Sequence, residues 1–258
     1  MKNKGKTGWF IQWSFTPANY FEKPLTIRDE LYELTIEDGK AIAEIADHAG
    51  DPRLTLKEKI HNKLKARFAG AQLISHRSFQ LSEPSLTNIS HKGTNVYPET
   101  LELTMTMSCE MDFVHKDKDG NILFDSKSQR MKNKQVVGEL AEKYSETNLV
   151  VKGLLASYTA AVNDPSNELV HLYEIRDSLP KEFGGKNAAI AALHISNKEW
   201  QELGRLANDA PLKQGRHRGN KISRLRNATK EELESARKYA SNMLISYLKY
   251  LNDSSSDN

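Results

Sequence analysis

The chain has 258 residues, of which 38% are hydrophobic and 28% are charged. This balance is typical of a globular protein, and no stretch approaches the roughly 20 apolar residues that a membrane-spanning helix needs. A single cysteine, Cys109, excludes an intrachain disulfide framework, and the basic N-terminus lacks the apolar core of a signal peptide. We therefore expect a cytoplasmic protein that does not contact a membrane.

The net charge of +3 is unevenly distributed along the chain. Residues 1–125 contain 16 Lys/Arg and 18 Asp/Glu, whereas residues 126–258 contain 21 and 16. The positive charge thus belongs to the C-terminal half. Proteins that bind nucleic acid over their whole surface are usually more basic, so any such binding would be local and sensitive to salt.

Alternating apolar residues predict antiparallel strands near the start of the chain. Residues 32–37 and 41–45 alternate on either side of Asp38-Gly39, a favoured two-residue turn, so they predict a hairpin. Before it, four large apolar residues would share one strand face: Trp9, Ile11, Trp13 and Phe15. These tryptophans could form a base-stacking platform, but their shared face with Ile11 and Phe15 favours core packing.

One helix, over residues 55–69, is predicted among these strands. Thr55 and Glu58 have the spacing of a capping box, and Gly70 is expected to end the helix. Residues 72–81 predict a weaker strand, and residues 84–98 a long loop. The apolar positions of the helix recur every four residues, at Leu56, Ile60, Leu64 and Phe68.

The most regular strand pattern covers residues 101–113, and the turn at 117–121 should fold it back onto residues 122–124. Seven residues form its apolar face: Leu101, Leu103, Met105, Met107, Cys109, Met111 and Phe113. The opposite face carries Glu102, Glu110 and Asp112. Such carboxylates could bind a metal, but pairing with Lys or Arg of a neighbouring strand is commoner.

The second half is patterned for helices. Residues 131–162 predict one or two helices, and Asp164 with Pro165 is expected to start the next, which Gly184 and Gly185 would end. Residues 188–193 predict a short helix. Two further capping boxes, Ser196 to Glu199 and Thr229 to Glu232, open the last two helices.

The predicted fold class is therefore α+β, with an N-terminal antiparallel β-sheet that includes one helix, followed by a C-terminal α-helical bundle. We predict a sheet domain over residues 1–125, a helical domain over 126–252, and a disordered polar tail over 253–258.

A basic run between the last two helices is the main candidate site. Residues 210–230 contain seven Lys/Arg and no Asp or Glu, a composition that attracts phosphate and other anions. The run could instead be a solvated loop, or its arginines could pair with acids elsewhere in the fold. The predicted nucleic-acid or anion-binding residues are Lys213, Arg216, Arg218, Lys221, Arg224 and Arg226.

His217 lies between Arg216 and Arg218, whose positive charge would favour its neutral form. A neutral histidine beside an arginine is a plausible acid/base pair for RNA cleavage. The eight histidines are scattered, with no pair at metal-ligand spacing, so we expect no metal and no cofactor.

A helical region with Arg and His near a helix start resembles the HEPN superfamily of prokaryotic defence and toxin ribonucleases. The resemblance covers residues 165–250 and implies a dimeric, metal-independent ribonuclease with Arg216 and His217 at its site. The spacing departs from the family, since Arg205 is too far from His217 and Arg216 is adjacent to it. The family's polar residue would be Asn208 or Asn220. Residues 200–218 also look like uncharacterised bacterial helical proteins, which implies a bacterial origin.

These observations favour a non-enzymatic bacterial accessory protein whose basic C-terminal segment binds RNA, DNA or an acidic protein partner. One alternative is the HEPN-like ribonuclease, acting in phage defence or as a toxin. The other is a structural homo-oligomer in which the basic run pairs with acidic residues of another subunit.

Overall fold

The computed structural model describes residues 8–49, 55–90, 93–97, 112–216 and 225–256. The predicted α+β class is confirmed: an antiparallel sheet precedes a helical C-terminal half. The chain divides into two compact units. One comprises Met1–Lys65 and Phe79–Lys132, and the other comprises Ala66–Ser78 and Asn133–Asn258.

The first unit contains a seven-stranded sheet with the order β2-β3-β4-β1-β6-β7, in which β5 also pairs with β1. Every pairing is antiparallel. The strands are β1 (Gly8–Thr16), β2 (Leu25–Arg28), β3 (Tyr32–Glu37), β4 (Lys40–Ile45), β5 (Gln80–Leu81), β6 (Ser85–Ser90) and β7 (Gly93–Tyr97).

Strand β1 lies at the centre of this sheet, with β4 on one side and β6 on the other. Its alternation buries Ile11, Trp13 and Phe15 on one face, while Trp9 is only partly buried. The indole N–H of Trp13 donates to Nδ1 of His61, 3.1 Å away on the following helix. Trp13 is therefore a core residue and offers no surface for base stacking.

The predicted hairpin between β3 and β4 is confirmed. Asp38 and Gly39 have positive φ angles of 46° and 77°. A two-residue hairpin turn of this type needs positive φ at both positions so that its twist matches that of the two strands it joins. The loop predicted over residues 84–98 is wrong, because β6 and β7 form a further hairpin there. Strand β6 completes the sheet beside β1, and Leu86 is buried opposite Ile11.

A second sheet of two strands, β8 (Val114–Lys116) and β9 (Ile122–Asp125), confirms the predicted return around residues 117–121. Asp117 accepts backbone N–H groups from Asp119 and Asn121 and so fixes the turn. Residues 101–111 of the strand predicted before it, with Glu102, Cys109 and Glu110, lie outside the described residues. Asp112 is paired with Arg130 at 2.6 Å.

Helix α1 (Leu56–Ser75) passes through Gly70, so the prediction that Gly70 ends it is wrong, as is the strand predicted to begin at residue 72. A Cβ on Gly70 would lie 2.7 Å from the Cβ of Ala141 and 2.8 Å from the carbonyl oxygen of Val137. Both belong to α2 (Ser126–Ser145). Gly70 therefore lets the two helices pack closely and does not terminate one of them.

The remaining helices are α3 (Leu149–Asn163), α4 (Glu168–Phe183), α5 (Lys186–Ala192), α6 (Asn197–Gly204) and α7 (Lys230–Ser256). Helix α4 contacts α3, α5, α6 and α7, so it is the centre of the helical unit. Its buried stripe consists of Leu169, Leu172, Ile175 and Leu179. None of the described helices is long and apolar enough to cross a membrane.

Two predicted helix ends differ from the structure. Asp164 was predicted to start the helix that follows it, but α4 begins after Asn167 and Asp164 caps the end of α3. The Asp164 carboxylate accepts a hydrogen bond from the Asn167 side-chain amide at 2.6 Å. The tail predicted to be disordered from residue 253 is helical to Ser256. Ser254 and Ser255 donate to the carbonyls of Tyr250 and Leu251, one turn earlier, so polar composition is compatible with helix there.

We predict that Gly70→Ala destabilises the protein by about 2 kcal/mol, because a backbone carbonyl blocks the new methyl group and overpacking outweighs the gain in helix propensity. Gly153→Ala is the matched control, since nothing lies within 4 Å of its Cβ position in α3. It should stabilise by about 0.5–1 kcal/mol. Urea unfolding of both variants measures the difference; equal effects would show that Gly70 is not a contact residue.

Candidate anion-binding site

The two described ends of the basic run are joined by backbone hydrogen bonds. The N–H of Lys213 donates to the carbonyl of Arg226 at 2.9 Å, and the N–H of Arg226 donates to the carbonyl of Pro211 at 3.0 Å. Leu212, which is buried, pairs with Arg226 as an isolated parallel bridge. We call residues 213–226 the basic loop. Its base is fixed to the helical unit.

The start of the basic loop is docked on a π-helical turn, Arg205–Asp209, that follows α6. This turn leaves the carbonyl of Ala207 free to accept the N–H of Arg216 at 2.8 Å. Gly215 is buried against the same carbonyl, and a Cβ there would lie 3.0 Å from its oxygen. Glycine at position 215 therefore allows the close approach that places Arg216.

The side chain of Arg216 lies over an aromatic ring. Its guanidinium carbon is 4.3 Å from the ring centre of Tyr173 in α4. The guanidinium carbon of Arg176, one turn later on α4, is 5.1 Å from the same ring centre and 5.2 Å from that of Trp200. Two guanidinium groups thus contact a single tyrosine, a cation–π arrangement.

Arg176 is held in place by α6. Its Nε–H donates to the carbonyl of Trp200 at 2.9 Å. A Cβ on Gly204 would lie 3.1 Å from the Arg176 guanidinium, so a larger residue there would displace it. Arg176 is half-buried, whereas Arg216 is exposed. The pair therefore combines a fixed, recessed guanidinium with an accessible one.

Two neighbouring arginines are neutralised by carboxylates. Arg205 makes two hydrogen bonds to Glu202, at 2.7 and 2.8 Å, and Arg226 makes two to Glu232, both at 2.7 Å. Within the described part of the chain, by contrast, Arg176 and Arg216 have no carboxylate at ion-pair distance. Residues 210–230 contain no Asp or Glu, so the basic loop itself supplies none.

Glu232 has two roles at the start of α7. Its carboxylate accepts the N–H of Thr229 at 2.8 Å while the Thr229 hydroxyl accepts the N–H of Glu232, which confirms the predicted capping box. Hydrogen bonding to Arg226 lowers the pKa of Glu232 to about 2. Glu232 is thus ionised at any ordinary pH and keeps Arg226 paired.

The predicted binding residues therefore have different surroundings. Lys213 is exposed, Arg216 is stacked on Tyr173, and Arg226 is paired with Glu232. Four of the predicted residues lie outside the described residues: His217, Arg218, Lys221 and Arg224.

The residues considered for the ribonuclease alternative are only partly described. The side-chain oxygen of Asn208 is buried and accepts no hydrogen bond among the described residues, and Asn220 lies outside them. Catalysis by His217 with Arg216 therefore stays a prediction.

Sequence reasoning missed Tyr173 and Arg176. Their spacing of three residues on one helix predicts contact between them, but nothing local connects them to Arg216, which lies 43 positions after Tyr173 and 40 after Arg176. Local patterns therefore identify only the Arg216 part of the cluster.

A separate polar cluster is buried in the helical unit. The Glu168 carboxylate, which is 1% exposed, accepts two hydrogen bonds from Arg237 and lies 3.4 Å from Nε2 of His76. Nδ1 of His76 is 3.2 Å from the hydroxyl of Tyr158. Both ring nitrogens of His76 thus have internal partners, and burial raises the pKa of Tyr158. The cluster stabilises the helical unit and presents no free acid or base.

Burial, together with the positive charge of Arg237, lowers the pKa of His76 to about 4. The carboxylate of Glu168 does not reverse this shift, because its charge is already balanced by Arg237.

The described residues contain no group of three or more His, Cys, Asp or Glu placed to hold a metal ion. Comparison of the chain with protein-family models, with curated proteins and with solved structures finds no match. The site is therefore interpreted from its own geometry.

We predict that acid destabilises the protein through His76. Its ordinary pKa of 6.5 applies to the unfolded chain, which therefore takes up a proton before the folded protein does as the pH falls towards 4. The His76 contribution is complete only well above pH 6.5, and about 2 kcal/mol of it should be lost between about pH 7.5 and about pH 5. Urea unfolding at both pH values measures this loss.

His76→Gln is the control, because it removes the titrating group. Its absolute stability will differ from that of the wild type, but its pH slope over the same interval should be smaller by that amount. Equal slopes in the two proteins would mean that His76 titrates normally when folded.

Proposed function

We propose that this protein binds nucleic acid, through phosphate groups, with its basic loop and the adjoining face of α4. One observation carries the proposal: two guanidinium groups contact the ring of Tyr173, and neither has a carboxylate partner among the described residues. Positive charges placed together without a counter-ion favour an anionic ligand.

The chemistry of these cations suits phosphate. A guanidinium group stacked on an aromatic ring keeps its N–H edges available and can bind a phosphate group through two parallel hydrogen bonds. The exposed Lys213 adds a charge at the base of the same loop. The sequence adds three further predicted cations between Arg216 and Arg226, namely Arg218, Lys221 and Arg224.

The proposal is for binding and not for catalysis, because it is supported by cations without carboxylate partners among the described residues, whereas the candidate acid/base His217 lies outside them. A bacterial origin, a role in phage defence, ribonuclease activity by His217 and homo-oligomerisation stay predictions from the sequence. A ribonuclease would also need the binding surface proposed here, so binding is the property to test first.

We expect the wild-type protein to bind labelled single-stranded RNA or duplex DNA at low salt, with an affinity that falls as salt is raised. The double variant Lys213→Gln/Arg216→Gln should bind more weakly, and the magnitude of its salt slope should fall by about 1 for each phosphate group that the variant no longer binds. Fluorescence anisotropy over a salt series measures both quantities.

Arg205→Gln is the control, because it removes one positive charge of the same helical unit from an arginine already paired with Glu202. It should leave affinity nearly unchanged. Absence of binding by the wild type at low salt would overturn the proposal, as would equal losses of affinity in the control and in the loop variant.

We also predict that Glu232→Gln strengthens binding. Glutamine preserves the capping box with Thr229 but releases the charge of Arg226, which lies at the base of the basic loop. One additional phosphate interaction should raise the magnitude of the salt slope by about 1.

Glu234→Gln is the control for net charge, since Glu234 lies on the same helix, pairs with the exposed Lys230 and makes no ion pair with Arg216 or Arg226, the loop arginines that the structure describes. If both variants strengthen binding equally, the effect comes from overall charge, and the prediction that the ion pair with Glu232 prevents Arg226 from binding phosphate is wrong.

A further inference from the structure

The cluster of Tyr173, Arg176 and Arg216 differs from an ordinary basic surface because its members are at unequal depths. Arg216 is exposed, and its guanidinium carbon lies over Tyr173, 4.3 Å from the ring centre. Arg176 is half-buried beside Trp200, and its Nε–H is already used by the Trp200 carbonyl. A ligand that binds both groups must therefore reach the remaining N–H groups of the half-buried Arg176 as well as the exposed Arg216.

Two glycines of the neighbouring elements make room for this arrangement. Gly204 leaves room for the Arg176 guanidinium, and Gly215 lets the backbone of Arg216 dock on Ala207. A guanidinium plane supported from below by an aromatic ring offers its outer face for stacking. Unpaired bases stack on such planes, whereas the bases of a duplex are stacked on each other.

We infer that Tyr173, Arg176 and Arg216 form a subsite that selects single-stranded over duplex nucleic acid. A phosphodiester group of the strand binds the N–H groups of Arg176, and an adjacent unpaired base stacks on the outer face of the Arg216 guanidinium. This inference rests on the proposed function, and it adds Tyr173 and Arg176, which the sequence does not connect with the basic loop.

The geometry of the subsite selects the conformation of the strand. A flexible strand can direct one phosphate into the recess at Arg176 and turn a base onto Arg216. In a duplex the phosphates lie on the outside at fixed spacing and the base faces are covered. The basic loop contacts phosphates of either form, so selection depends on the subsite alone.

The test compares a short labelled oligouridylate with a duplex of the same length, for the wild type and for the single variants Arg176→Gln and Tyr173→Leu. Each variant should lower affinity for the oligouridylate roughly tenfold, the effect of removing one stacking or phosphate interaction, and should change duplex affinity less than about twofold. Arg205→Gln, whose arginine is paired with Glu202, should change neither.

Tyr173→Phe keeps the ring that both guanidiniums contact and should retain the preference for the single strand. Thermal unfolding of every variant is measured alongside. Competition with inorganic phosphate should remain weak, because an isolated anion lacks the stacked base.

The inference is overturned if Arg176→Gln behaves like Arg205→Gln, if duplex affinity falls as much as single-strand affinity, or if inorganic phosphate competes as well as the oligonucleotide. None of these outcomes contradicts the proposed function if the Lys213→Gln/Arg216→Gln variant still binds nucleic acid more weakly than the wild type. Absence of wild-type binding to both probes instead removes the proposed function itself.

Discussion

An unbalanced pair of positive charges on one tyrosine ring is the constraint around which the candidate site is organised. A half-buried guanidinium loses part of its hydration, and that cost must be offset by hydrogen bonds, a ring face or a counter-ion. Here the offset comes from the Trp200 carbonyl and from two aromatic rings, with no carboxylate among the described residues. The backbone pairing at the base of the basic loop then keeps Arg216 against the same ring.

The other arginines of the helical unit show how this constraint is met elsewhere. Arg226 and Arg237 each bind a glutamate through two hydrogen bonds, and Glu168 is almost completely buried in doing so. The Arg226–Glu232 pair lies at the start of α7, and Arg237 balances the charge of a buried carboxylate. Both pairs therefore contribute to stability, and their arginines are largely neutralised and less able to bind an anionic ligand. The contrast separates structural arginines from those that remain available, a distinction that a count of basic residues does not make.

Local patterns predicted the β3–β4 and β8–β9 hairpins, the α+β class and the Thr229 capping box, because each depends on residues close together in the chain. What local patterns could not supply at Gly70 and at the candidate site were long-range contacts. Gly70 resembles a helix terminator in sequence, but it is required where α1 passes α2. Likewise, the basic run was predicted to bind anions as a whole, whereas Arg226 within it is paired with Glu232. The contribution of Tyr173 and Arg176 to the site can be recognised only from the contact between α4 and Arg216.

The most direct test of this site is an NMR titration that observes the arginine Nε–H groups while a short oligouridylate is added. We predict that the resonances of Arg176 and Arg216 shift together, with one common dissociation constant, while those of Arg205 and Arg237 stay where they are. Shifts spread evenly over all four arginines, or none at Arg176, would contradict the prediction, because the uncompensated pair would then have no preference for the ligand.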